Sequence, residues 1–185
     1  MKKSNPILDK GYENMGYMNE KLYKPIISKL YGNVIKTNYR YSRVDFLGKD
    51  FCGELKSRNL SIDDFTETMI GYNKIVKGFK NIDLYKETKP NYKIYFWFSF
   101  KEGLYVWELN KENYELNGGD KQKQMGGTSN RGYRDYKEHY FIKTEFLTKI
   151  DDTPVWIDPI VIDNSYKPSY SKTEGVCLLK FKSPF

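Results

Sequence analysis

Apolar residues first recur at helical spacing over residues 19–30, where Leu22, Tyr23, Ile26, Ile27 and Leu30 share one face. Asn19 has the side chain of an N-cap, and Pro25 marks either a kink or a later start. Residues 33–38 (NVIKTN) predict a short strand. Residues 39–47 (YRYSRVDFL) and 51–58 (FCGELKSR) read as two strands around a Gly48-Lys49-Asp50 turn, together a β-hairpin. Ser61-Ile62-Asp63-Asp64 then offers a cap with an acidic first turn. Phe65, Met69, Tyr72, Ile75, Val76 and Phe79 carry helical spacing on to about Lys80.

Residues 92–100 (YKIYFWFSF) and 104–109 (LYVWEL) predict two further strands, apolar enough to be covered on both faces. Residues 117–135 lack periodicity and are rich in glycine, the pattern of a flexible basic loop. Residues 139–150 predict a strand edge leading into a short helix, and 155–162 and 175–182 are strand-like. The order is helix, three strands, helix, strand, strand, then a peripheral extension over 139–185. It predicts a single mixed α/β domain over 1–185, with its core at about 17–110 and a central sheet flanked by helices.

Composition narrows the partners more than the fold. Aromatic residues make up 17% of the chain, which separates it from disordered sequences. The formal net charge of +7 favours polyanions, because Lys and Arg displace counterions from phosphates; it equally serves solubility. Cys52 and Cys177 form no metal-binding spacing, a pattern suited to a reducing compartment. No run is long and apolar enough for a signal peptide or a transmembrane helix. The expectation is an intracellular protein, in the cytoplasm or nucleus of a host cell.

The predicted hairpin carries the chemistry. Asp45 and Glu54 lie symmetrically about its turn, so a regular antiparallel ladder sets them nearly opposite on one face. Paired carboxylates repel unless a cation lies between them, and Mg²⁺ accepts one or two carboxylates while keeping sites for water and phosphate. Lys56, two residues after Glu54, shares that face by strand alternation and can orient water or stabilise developing charge. A solvent-facing hairpin with an ordinary cross-strand ion pair would carry the same three residue types.

Asp45…Glu54-Leu55-Lys56, with a helix before and another after, resembles the PD-(D/E)xK nuclease superfamily. This group includes restriction endonucleases, Holliday junction resolvases and viral or phage recombination exonucleases. The resemblance implies a restriction-endonuclease-like fold and an Mg²⁺-dependent deoxyribonuclease, with Mn²⁺ able to substitute. It implies metal binding by Asp45, Glu54 and the Leu55 carbonyl, with Lys56 catalytic. Glu20 matches the helix-borne acid of many members, with Glu13 second. Val44 stands where the motif has Pro. The Gln-x-x-x-Tyr of the exonuclease branch is represented by Thr68 and Tyr72, so the Gln is missing and an endonuclease acting in repair, recombination or junction resolution fits better. Tyr72 is either near the site or a core aromatic.

Arg40 and Arg43 beside the hairpin, and Lys121, Lys123, Arg131 and Arg134 in the glycine-rich loop, are candidate nucleic-acid contacts. Tyr133 could stack on a base. The loop residues are equally solvated surface residues, and surface charge on a strand is the simpler account of Arg40 and Arg43. His139, the only histidine, has no partner for a His-based metal site, and Cys52 is expected to pack. Two-strand cutting calls for two active sites, which a homodimer would supply. The alternatives are an exonuclease, a non-catalytic nucleic-acid-binding module on the same fold, and a structural protein docking through aromatic surface.

Overall fold

The computed structural model describes residues 6–37, 44–58, 60–127 and 136–152. Its first helix, α1 (Pro6–Tyr31), begins at a proline, whose fixed φ suits the first turn. It ends at Gly32, which takes φ 90° and donates its N–H to Ser28 O at 3.0 Å. The helix extends well before Asn19. That residue is therefore no cap: it is buried, and its Nδ2 donates to Ser57 Oγ at 2.8 Å. Pro25 is tolerated inside α1 on an exposed side, where water can satisfy the carbonyl it deprives of a partner.

The main sheet has six strands in the order β1-β2-β3-β5-β6-β9. These are β1 (Ile35–Lys36), β2 (Phe46–Leu47), β3 (Phe51–Ser57), β5 (Lys93–Phe100), β6 (Gly103–Leu109) and β9 (Thr148–Asp151). All neighbours are antiparallel except β3 and β5, which run parallel in unbroken register from Phe51–Lys93 to Ser57–Ser99. A parallel pair needs a crossover. Here it contains β4 (Glu67–Gly71) and α2 (Tyr72–Tyr85).

Strand alternation divides the core in two. Phe51 and Leu55 pack on one face with Trp97, Phe46 and, from α1, Tyr23 and Ile27. Cys52, Phe96 and Phe98 pack on the other with Ile70, Ile75 and Tyr140. Gly53 lies where a Cβ would run into the Trp97 ring and the Tyr95 carbonyl, so only glycine lets β3 approach β5 at that point.

The helix expected over 61–80 is replaced by three elements: a 3-10 turn at Ile62–Asp64, strand β4 and helix α2. Residues 67–71 are drawn into strand form because Thr68 and Ile70 alternate inward and pair with Ile142 and Tyr140 of β8 (Tyr136–Lys143). Within 117–135, too, part of the expected loop is ordered structure. After α3 (Lys111–Leu116) and a 3-10 turn, β7 (Lys123–Gly127) pairs with β8, completing a second sheet in the order β4-β8-β7. Asn117 fastens that region, donating to Phe141 O at 2.8 Å and accepting from Lys143 N–H at 3.0 Å. The strands expected at 155–162 and 175–182 lie outside the described residues. The fold is thus mixed α/β, and among the described residues no helix is long and apolar enough to cross a membrane.

Candidate active site

Phe46 pairs with Gly53 and Leu47 with Cys52, the register that carries Asp45 towards Glu54. The ladder is not regular there. Asp45 N–H also donates to Gly53 O, at 3.0 Å, so Asp45 and Phe46 both lie against Gly53 in the manner of a β-bulge. The Asp45 carboxylate then replaces a backbone carbonyl: its Oδ2 accepts the Leu55 N–H at 2.8 Å. In an extended strand the N–H and C=O of one residue point to the same edge, so the Leu55 carbonyl also faces the β2 side.

Asp45 is placed against its own ionisation. Burial raises its pKa first, and the charges of Glu54 and Glu20 raise it further, to about 7; Lys56 and the Leu55 N–H oppose them. Glu20 comes from α1, where it pairs with Lys36 of β1 at 2.7 Å. The helix-borne acid, the bulge acid and the β3 acid therefore share one electrostatic field. Glu13 is also on α1, but its side chain falls outside the described set.

Glu54 is buried at 4% exposure yet stays ionised. Burial pushes its pKa up, but the ammonium groups of Lys56 and Lys74 together pull it below the usual carboxylate range. Lys56 contacts Oε1, and Lys74 Nζ lies 2.5 Å from Oε2. Lys74 is the residue that sequence reasoning missed. A helix running continuously over 61–80 gives it no special phase; once α2 starts at Tyr72, its first turn places Lys74 over β3.

The remaining candidates separate. Lys121 is exposed, and Lys123 on β7 is engaged by Glu138 at 3.0 Å and by the Tyr72 ring at 4.5 Å. Arg40, Arg43, Arg131, Tyr133 and Arg134 lie outside the described residues. Tyr72 is half-buried at the start of α2, and its hydroxyl donates to Asp120 Oδ1 at 2.8 Å, beside Tyr114 at 2.7 Å. Its ring packs against the core, as a core aromatic does, while the hydroxyl ties it to Asp120. His139 is buried in β8 opposite Gly71 and Gln124. Cys52 packs as expected, and burial pushes its thiol up, away from the reactive thiolate.

Compared with protein-family models, curated proteins and solved structures, the chain matches none. Among the described residues, no group of three or more His, Cys, Asp or Glu side chains is arranged to hold a metal ion. What the site offers a cation is Asp45, Glu54 and a backbone carbonyl at Leu55. That donor set fits Mg²⁺, which uses few protein carboxylates and completes its shell with water and phosphate oxygens.

Proposed function

We propose that this protein is an Mg²⁺-dependent nuclease that hydrolyses phosphodiester bonds, with DNA as its substrate and a restriction-endonuclease-like frame. The reading is carried by the bulge at Asp45. It turns a half-buried carboxylate onto the Leu55 N–H, within reach of the Glu54 charge and with Lys56 alongside. A carboxyl held at about 7 by burial and then by neighbouring acids gains from a cation, because the cation offsets both the lost hydration and the repulsion that keep the proton on. The six-stranded mixed sheet, with α1 on one face and α2 on the other, supports the same reading.

Asp45, Glu54 and the Leu55 carbonyl would hold the ion. When bound, Mg²⁺ supplies Lewis acidity towards a phosphate oxygen and lowers the pKa of coordinated water. Asp45 gives up its proton on loading and is kept oriented by the Leu55 N–H. Lys56, with its side chain 36% exposed, is the lysine open to substrate; it stabilises negative charge on the phosphoryl oxygens. Glu20 adds negative potential from α1 and keeps Lys36 in place. Endonucleolytic cutting, a role in repair, recombination or junction resolution, and a homodimer that cuts both strands remain part of this proposal on resemblance alone.

A non-catalytic nucleic-acid-binding module is the second reading. The observation favouring it is that Lys56 and Lys74 already balance Glu54 without a metal. Incubation with plasmid, linear duplex, single-stranded and four-way-junction DNA, in Mg²⁺, Mn²⁺ or EDTA, separates the two. Cleavage that needs the metal and is lost in Asp45→Ala, Glu54→Ala and Lys56→Ala supports the enzyme. Binding without cleavage supports the module, and cleavage surviving all three substitutions refutes the site.

A further inference from the structure

Beyond Lys56 the chain continues in ladder with β5, since Arg58 N–H donates to Ser99 O at 2.8 Å. Glu54, Lys56 and Arg58 therefore occupy one row on the same face of the sheet, each about 7 Å from the next. The Arg58 guanidinium is anchored from β4: Nε donates to Thr68 Oγ1 at 3.2 Å, and Nη2 donates to the Met69 carbonyl. Those bonds use two of the five N–H donors of an arginine. No carboxylate among the described residues pairs with it.

A guanidinium taken largely out of water without an anion is costly, and burial lowers its pKa with nothing opposing. Arg58 as a residue is nevertheless half-buried and keeps some exposure to solvent. A fixed planar fork with unused donors, next in the row to a lysine, is suited to two oxygens of one phosphate.

We propose that Arg58 is a phosphate-binding residue of this protein, taking a backbone phosphate of the nucleic-acid strand laid along the Glu54–Lys56–Arg58 row. This rests on the nuclease reading of the same face. It adds a contact that positions the strand without reading its bases.

The test is binding of a short DNA duplex across a salt series in EDTA, where no cleavage occurs, together with steady-state cleavage in Mg²⁺. Arg58→Gln keeps a donor for the Met69 carbonyl and removes the charge. It is expected to weaken binding about 10-fold, reduce the salt slope by about one, and raise KM more than it lowers kcat. Lys24→Gln, on the exposed side of α1, is expected to leave the slope unchanged. Equal slopes in wild type and folded Arg58→Gln, with wild-type cleavage intact, overturn the proposal and leave Arg58 as a pin between β3 and β4. If Arg58→Gln does not fold, Arg58→Lys decides: it keeps the charge but not the fork, so weaker binding at an unchanged slope supports the contact and wild-type affinity overturns it. A wild type that neither binds nor cleaves overturns the nuclease reading itself, and Arg58 with it.

Discussion

Lys74 Nζ of α2 lies 2.5 Å from Glu54 Oε2 of β3, so the crossover helix supplies half of the positive charge that keeps a buried carboxylate ionised. Lys56 supplies the other half from the same strand as the acid. The two lysines are not equivalent: the Lys56 side chain is 36% exposed and that of Lys74 24%.

That difference separates stability from activity. Lys74→Met is expected to cost about 2 kcal/mol, somewhat less than the ~3–5 kcal/mol of breaking a fully buried pair. Lys56→Met is expected to cost less than about 1 kcal/mol, yet to lower single-turnover cleavage at least ~100-fold. Chemical denaturation alongside single-turnover kinetics checks both. A Lys74→Met protein that keeps full stability would show the helix contact to be incidental.

Asp45→Asn should stabilise the protein in alkaline but not acidic solution. The folded-state pKa of Asp45, about 7, is raised above its unfolded value near 4. Between those values the folded chain binds the extra proton, so stability falls as pH rises and the penalty is complete above pH 7. Asn keeps an acceptor for the Leu55 N–H and carries no charge. Its melting temperature should therefore exceed that of wild type at pH 8 and match it near pH 4, as differential scanning calorimetry without metal would show.

Glu54→Gln should do the opposite. The Glu54 pKa is lowered, so its contribution is present above the usual carboxylate pKa and lost as pH falls through the folded value. Removing the charge strands Lys56 and Lys74 together, and a loss of about 2 kcal/mol at pH 7 is expected. The gap between the variant and wild type should close below pH 4 in the same calorimetric series.

Mg²⁺ binding should release protons near neutrality. With Asp45 at about 7, roughly half a proton should leave per ion bound at pH 7, and almost none at pH 8.5. Titration calorimetry in two buffers of different ionisation enthalpy reads this directly. Asp45→Asn should abolish the buffer dependence; if it persists, another group is titrating.

Gly53→Ala should be poorly tolerated although the residue has no chemistry. Its Cβ would meet Trp97 and the Tyr95 backbone, which cannot move without opening the β3–β5 pair. A loss of ~3 kcal/mol is expected by urea denaturation, with lower activity following because β3 carries Glu54 and Lys56.

Much of the framework follows from local pattern. The apolar runs that became β5 and β6 are strands in any environment that covers both faces, and the Gly48-Lys49-Asp50 turn fixes the register bringing Asp45 towards Glu54. Strand alternation alone put Lys56 beside Glu54, and the structure joins them as an ion pair. Residues 67–71 show where local pattern fails: Met69 and Tyr72 fit a helical face, but Thr68 and Ile70 find partners in β8, some seventy residues later in the chain. A pairing at that separation leaves no trace in a short window.

Sequence by itself determined the three residue types of the candidate site, their spacing and the strands that carry them. Only the tertiary structure decided how the site is charged. The bulge that turns Asp45 onto Leu55, the approach of Glu20 from α1, and the arrival of Lys74 from α2 each depend on how separate elements pack. Ionisation of a buried group is set by the whole shell of charges around it, and that shell is assembled from positions far apart along the chain.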